Sequence, residues 1–348
     1  MRWAGWWAGL FCAIACGGST PTGTSDSGVG SITAPDAGIP DAGTPADCLG
    51  LLPGPLGAAV AFDVPVPGAT CGPSTVDGQG VTACQAQSTS QLQWLEFGTN
   101  GTRQGTFTGP PQVYAQPMGF IGIYGGSPLL VAYWGQGGSM DLSPDVAGDA
   151  LALGPTLGPG VIAVASSAGS LTVHKLDDQA IDVTNASYPI SATPLGAAED
   201  ASGSILVLTR NGAGVSGMWV DLTKKSNGQA FALGTAAAVA ARPLLGGNVA
   251  VQLDGVWTGV LAPGETALRP APSWLGGDVD FVPVRGGKAY AVVPRSGSAV
   301  GIVSAQGSSC GSVSFPGVNA VSVGQEGSAI GSTGASGCTK FVWRNALR

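Results

Sequence analysis

An all-β fold built from about seven four-stranded repeat units is what this sequence predicts, and three observations predict it. Glycine-containing turns flanked by short β-type runs return roughly every forty residues. A third apolar run follows each such hairpin, and often a fourth. Finally, 58 Gly and 25 Pro among 348 residues leave little room for long regular helices, because both residues disfavour helix interiors.

Composition removes several function classes. Only 10% of the residues are charged, against about 25% in an average soluble protein. The hydrophobic fraction is 44% with no run of about 20 apolar residues, which argues against both a wholly disordered chain and a multi-span membrane protein. A net charge of -7 speaks against a nucleic-acid partner, since duplex binding needs a concentrated basic surface. His174 is the only histidine. Triads, His-rich zinc sites and most imidazole acid–base mechanisms need more than it offers. No cofactor, metal or catalytic constellation is expected.

The N-terminus, residues 1–15, has the shape of a signal peptide: Met1-Arg2, then the apolar stretch from Trp3 to Ala15. Ala13-Ile14-Ala15-Cys16 reads either as an A-x-A cleavage site or as a lipobox in which Cys16 becomes the acylated N-terminus. The second reading is favoured. The string resembles the bacterial lipoprotein pattern of a small residue directly before cysteine, with Ala13 where that family usually has Leu, Val or Ile. Residues 16–47 then form a spacer. From Gly17 it carries Asp26, Asp36, Asp41 and Asp47 but no Lys or Arg, and Pro-Asp-Ala-Gly occurs twice, at Pro35 to Gly38 and Pro40 to Gly43. Such a segment buries too little apolar surface to offset its ordering entropy, so a disordered acidic tether is expected. The spacer looks like those of bacterial surface lipoproteins. That resemblance implies an exported module held away from an outer membrane, with a periplasmic or secreted protein as the alternative.

The folded module is expected over 48–348. Its clearest repeats are Phe120 to Gly126 leading to Leu129 to Trp134, Arg242 to Gly247 leading to Val249 to Leu253, and Val282 to Gly287 leading to Ala289 to Val293. Weaker copies centre on Gly160, Gly203 and Gly327. The second glycines, at 126, 160, 203, 247, 287 and 327, are spaced by 34, 43, 44, 40 and 40 residues. Four short strands per period is the anatomy of a propeller blade, and from about residue 85 the chain resembles β-propeller repeat proteins in general, without the diagnostic dipeptides of the WD40 or kelch families. The six turns and a degenerate unit at Gln91 to Phe97 imply seven blades; six or eight blades and tandem β-sandwiches are the alternatives. The last unit is too short for four strands, and Leu56 to Val66 could supply the missing one, which would remove the free edges of the ring. Only Thr235 to Arg242 looks helical.

Export makes disulfides plausible for Cys48, Cys71, Cys84, Cys310 and Cys338. The expected pairs are Cys71 with Cys84 and Cys310 with Cys338, leaving Cys48 over. Two catalytic-looking strings fail on context. Gly212-Ala213-Gly214-Val215-Ser216-Gly217 matches G-x-G-x-x-G, but a strand-like run follows it instead of the helix that a pyrophosphate site requires. Gly307-Ser308-Ser309-Cys310-Gly311 matches a nucleophile elbow without α/β alternation, and the histidine precedes the serine. Carboxylates are the one enzymatic route left open: Glu96, Glu199, Glu265, Glu326, Asp177-Asp178 and Asp278-Val279-Asp280 could supply an acid–base pair.

Trp94, Trp134, Trp219, Trp257 and Trp343 lie in strand-like runs and are expected to pack between blades. Trp274 falls in a loop, where an exposed indole could stack on a sugar or anchor a partner, and with Asp278 and Asp280 it forms the candidate binding group. His174 is expected to be a half-exposed strand residue. These readings add up to a monomeric, lipid-anchored envelope protein that binds or scaffolds an envelope protein or glycan without catalysis; the alternative is a glycan-directed hydrolase or lyase using loop carboxylates.

Overall fold

The structure is a computed structural model and describes residues 45–64, 74–87, 92–108, 113–135, 139–333 and 338–347. The predicted signal peptide, Cys16, the spacer to residue 44 and Cys71 lie outside the described residues. The described strands form seven antiparallel sheets, the blades of a β-propeller. Blade 1 contains Ser74–Val76, Thr82–Gln87, Leu92–Phe97 and Arg103–Thr108; blade 2 contains Val113–Gln116, Gly119–Tyr124, Leu129–Trp134 and Met140–Gly148. Blade 3 runs through Ala150–Pro155, Val161–Ser167, Ser170–Leu176 and Asp182–Tyr188. In blade 4, Thr193–Glu199, Ile205–Asn211 and Gly214–Asp221 are followed by a split outer strand, Ser226–Asn227 and Phe231–Gly234. Blade 5 has Val239–Pro243, Val249–Leu253, Val256–Leu261 and a two-residue outer strand, Arg269–Pro270. Blade 6 has Val279–Val284, Ala289–Pro294, Ala299–Ser304 and Ser309–Ser314.

Blade 7 closes the ring as expected. Its strands Ala320–Val323, Ala329–Ser332 and Thr339–Trp343 are completed by Val60–Asp63 from the N-terminal side, with Val60 opposite Val342 and Asp63 opposite Thr339. Phe62 stacks on Phe97 of blade 1 at 4.4 Å between ring centroids. Phe62 and Val64 thus face the junction of blades 7 and 1, where Val64 is buried, while Val60 is half-buried.

Burial in this fold is divided among the wedges between blades. Seven apolar clusters of described residues fill the seven joints. Trp94 and Trp134 pack between blades 1 and 2, Trp219 between 4 and 5, Trp257 between 5 and 6, and Trp343 between 6 and 7. Two indoles also tie neighbouring blades by hydrogen bonds: Trp219 Nε1 donates to Glu265 O and Trp257 Nε1 to Val279 O, each at 2.8 Å. Blades 3 and 4 approach so closely that a Cβ on Gly154 would sit 1.7 Å from the Ala197 carbonyl oxygen, so glycine is required there.

Prolines mark the sheet edges, since a residue without an N–H weakens a ladder anywhere else. Pro155, Pro194, Pro243 and Pro283 lie in first strands, Pro144 and Pro270 in outer ones, and Pro294 ends its strand. The turns between first and second strands are closed by a glycine of positive φ, as at Gly80 (86°), Gly203 (84°), Gly247 (80°) and Gly287 (77°), a conformation that costs a residue with a Cβ more. Blade 2 departs from the sequence register. Its turn is Pro117-Met118, and the Gly125-Gly126 pair instead joins its second and third strands. That misplacement produced the short spacing of 34 in the repeat.

The stretch Thr235 to Arg242 is not helical. Val239–Pro243 is the first strand of blade 5, paired from Val239 opposite Leu253 to Pro243 opposite Val249. Helix preference for alanine amounts to less than about 1 kcal/mol per residue, and pairing with a buried neighbour strand outweighs it.

Candidate functional site

The first strands of all seven blades line a central cavity of about 700 Å³. Most of its wall is aliphatic, including Val113, Leu153, Leu195, Val239, Val282 and Val321. Arg242, Asp280 and Arg295 are the charged residues among the lining. Arg242 Nη2 donates to Asp280 Oδ2 at 2.7 Å, an ion pair joining blades 5 and 6. Asp280 Oδ1 accepts from the Phe281 backbone N–H at 2.8 Å. Tyr114 of blade 2 faces this pair: burial pushes its phenol up, with the Arg242 charge opposing and the Asp280 charge adding to the shift. Its hydroxyl donates to Leu153 O at 3.4 Å.

A second pair sits at one end of the cavity. Arg295 Nε meets Asp278 Oδ1 at 3.1 Å, and Arg295 Nη2 donates to Gly255 O at 3.2 Å. Because strands alternate in direction, this end carries the second-to-third-strand turns, whereas the first-to-second and third-to-fourth turns lie at the other.

The predicted group of Trp274, Asp278 and Asp280 is therefore only partly assembled. Asp278 and Asp280 are at the cavity and its mouth. Trp274 is not a free platform: it stacks on Tyr290 at 4.7 Å and meets Phe281 edge-on at 5.5 Å, filling the wedge between blades 5 and 6. The outer strand of blade 5 is only two residues long, and the Ser273–Leu275 turn packs where a longer strand would have covered the sheet. Alternation along Val279–Val284 sends Phe281 into that wedge and Asp280 to the opposite side. Sequence reasoning missed Tyr114 and Arg242. With only 14 Lys and Arg in the chain, an arginine inside the apolar run Val239–Pro243 was the available signal.

The other carboxylates are spread out. Glu96, Glu199, Glu265 and Glu326 belong to blades 1, 4, 5 and 7. Glu199 binds Lys175 across a blade joint, and Glu265 accepts from Arg269 at 2.9 Å. Asp177 Oδ1 accepts the N–H groups of Gln179 and Ile181, closing a turn. His174 is buried, not half-exposed; its Nδ1 lies 2.8 Å from Asp182 Oδ2, which also accepts from Asn185. Gly212 turns the hairpin between the second and third strands of blade 4, so the G-x-G-x-x-G string opens a strand.

Cysteine pairing differs from expectation. Cys310 is bonded to Cys48, across 262 positions, and not to Cys338. Cys338 is itself disulfide-bonded, but not to Cys310. Cys84 is a free thiol on the second strand of blade 1, buried in the joint with blade 7, so the expected Cys71–Cys84 pair does not form. Burial pushes that thiol up to about 12. Sequence proximity misled here because ring closure brings the N-terminal segment beside blade 6. Asp47 Oδ2 accepts from Ser304 Oγ at 2.5 Å, and Arg285 donates to the Gly50 and Leu52 carbonyls at 3.3 and 3.4 Å.

No protein-family model matches the chain, and no curated protein matches it. Among solved structures it is similar to virginiamycin B lyase from Staphylococcus aureus, with 9% identity over 81% of this chain and 98% of that one and a TM-score of 0.46. It is similar also to BamB from Moraxella catarrhalis, with 13% identity, 85% and 94% coverage and a TM-score of 0.41. TolB from Acinetobacter baumannii gives 12% identity, 77% coverage of each chain and 0.41. At such identities the likeness is one of shape alone, and shape does not specify function.

Proposed function

We propose that this is an exported protein, anchored at the cell envelope through a lipidated Cys16, whose propeller binds an envelope protein or glycan without catalysis. The observation that carries the proposal is the Cys48–Cys310 disulfide. Such bonds persist in oxidising compartments, which supports export. The bond also fixes the start of the folded module to the beginning of the outer strand of blade 6, Ser309–Ser314. The end of the cavity with Asp278 and Arg295 lies away from this attachment and is the end proposed to meet the partner.

An acid–base mechanism would need a carboxyl free to carry a proton. Asp278 and Asp280 are each engaged by an arginine instead. An arrangement of this kind suits recognition.

Two measurements test the proposal. Wild-type protein is expected in the membrane fraction with a lipid mass on its N-terminus, and Cys16→Ser is expected to release it without change in melting temperature. Envelope material captured by the released protein is expected to be lost on Arg295→Glu. Wild-type protein that is soluble and unlipidated refutes the anchor; hydrolysis of a polysaccharide that disappears in Asp280→Asn refutes the non-catalytic reading.

A further inference from the structure

We propose that the central cavity recognises a short apolar peptide segment, its backbone amide held by the Arg242–Asp280 pair and its side chains by the aliphatic wall. The inference rests on the non-catalytic binding reading and names the ligand chemistry of that site.

A cavity of about 700 Å³ is of the size that holds small organic ligands. Its wall is mostly Val, Ala, Leu and Pro side chains, which suit an apolar ligand body, with Ser74, Thr75, Tyr114, Thr156, Ser322 and Gln325 as the uncharged polar residues of the lining. Each arginine is paired with an aspartate, Arg242 with Asp280 in the cavity and Arg295 with Asp278 at its mouth, so neither cation is left unpaired to select an anion. The inner pair is nevertheless unsaturated. Asp280 is the only hydrogen-bond partner of Arg242 among the described residues and takes one of its donors, whereas a guanidinium carries five N–H groups. Both side chains remain partly open, at 29% and 40% of full exposure.

The complement of such a pair is a neutral group presenting an acceptor beside a donor. A secondary amide has that arrangement: its carbonyl can accept from Arg242 and its N–H can donate to Asp280. A sugar is the poorer fit, because Trp274, the loop indole that would stack on it, spends its ring on Tyr290 and Phe281 in the adjacent wedge.

Isothermal titration with N-acetyl-trileucine amide tests this on the mature protein, with trileucine free acid and maltotriose as competing chemistries. Binding of the neutral amide is expected. It should weaken roughly tenfold or more in Arg242→Met, as loss of a hydrogen bond to a charged group implies, and vanish in Ala240→Trp, which fills the cavity. Coincident thermal melts establish that each variant is folded. Amide binding blocked by Ala240→Trp but unchanged in Arg242→Met overturns recognition by the pair while leaving the cavity as the site. Binding of the free acid or maltotriose in place of the amide overturns the ligand class. Failure of all three probes, with envelope capture still sensitive to Arg295→Glu, overturns the cavity proposal and leaves the proposed function standing.

Discussion

The joint between blades 6 and 7 and the joint between blades 1 and 2 solve the same packing problem with different means. At the first, Phe315 meets Trp343 at 5.0 Å among Val300, Ile302, Val313 and Ala329, with Cys48 and Leu51 of the N-terminal segment packed into the same cluster. The disulfide and the Arg285 hydrogen bonds lie over it. At the second, Val81, Ala83, Phe120 and Ala132 share the wedge with Trp94 and Trp134, and no N-terminal segment among the described residues reaches it. Buried carboxylates stand there instead. Asp77 is 1% exposed, and Glu96, equally buried, sits directly opposite Ala83.

The difference teaches where a ring needs reinforcement. The chain leads directly from blade 1 into blade 2 and from blade 6 into blade 7, so connectivity serves both joints, but blade 7 draws only three of its strands from the C-terminal chain and must be closed onto blade 1. The N-terminal chain supplies that closure by touching blade 6 at Cys48, completing blade 7 at Val60–Asp63 and continuing into blade 1 at Ser74.

Removing that chain should have the largest effect. A protein beginning at Ser74 keeps every strand of blade 1 but loses the outer strand of blade 7 and the burial of Val60, Phe62 and Val64. Stability is expected to fall by roughly 5 kcal/mol, and the exposed edge of Thr339–Trp343 to drive association. One beginning at Ala46 should melt as the mature protein does. Equal melting temperatures and monomeric elution for both would break the argument that the seam depends on the N-terminal strand.

Cutting only the covalent link comes next. Cys48→Ser with Cys310→Ser should cost about 2–5 kcal/mol in chemical denaturation, the usual range for a native disulfide. Hydrogen exchange should rise first in blades 6 and 7 and stay low in blade 2. Uniform loosening of all seven blades would show that the bond acts on the ring as a whole.

The smallest effect concerns the other joint and has a defined pH window. Burial pushes the Asp77 carboxyl from its ordinary 3.8 up to about 6, Glu96 adding to the shift, although the N–H groups of Val81, Gln79 and Gly80 oppose it. A raised folded-state value means that the native state holds the proton longer than the unfolded chain. Stability is therefore lost as pH rises from about 4 to about 6 and stays lower above that. Asp77→Asn keeps the carbonyl acceptor for the turn and should stabilise by up to about 3 kcal/mol at pH 7.5, with little change at pH 4. Matching denaturation midpoints for variant and wild type at pH 7.5 would show that the carboxylate is tolerated there without cost.

The sequence by itself determined the repeat, the four-stranded unit, the wedge positions of the strand tryptophans and the closing strand near residue 60, and it pointed to about seven blades. These are local properties. Alternation decides which face of a strand is apolar, and glycine decides where a turn of positive φ can form. It did not determine the partners of the cysteines, the strand state of Val239–Pro243 or the cavity group of Tyr114, Arg242 and Asp280. Those depend on which residues the closed ring brings together. Cys48 and Cys310 meet across 262 positions, and Tyr114 faces a pair contributed by blades 5 and 6. Propensity and spacing act over a few residues, whereas ring closure sets distances between the ends of the chain, and only the tertiary structure decides those.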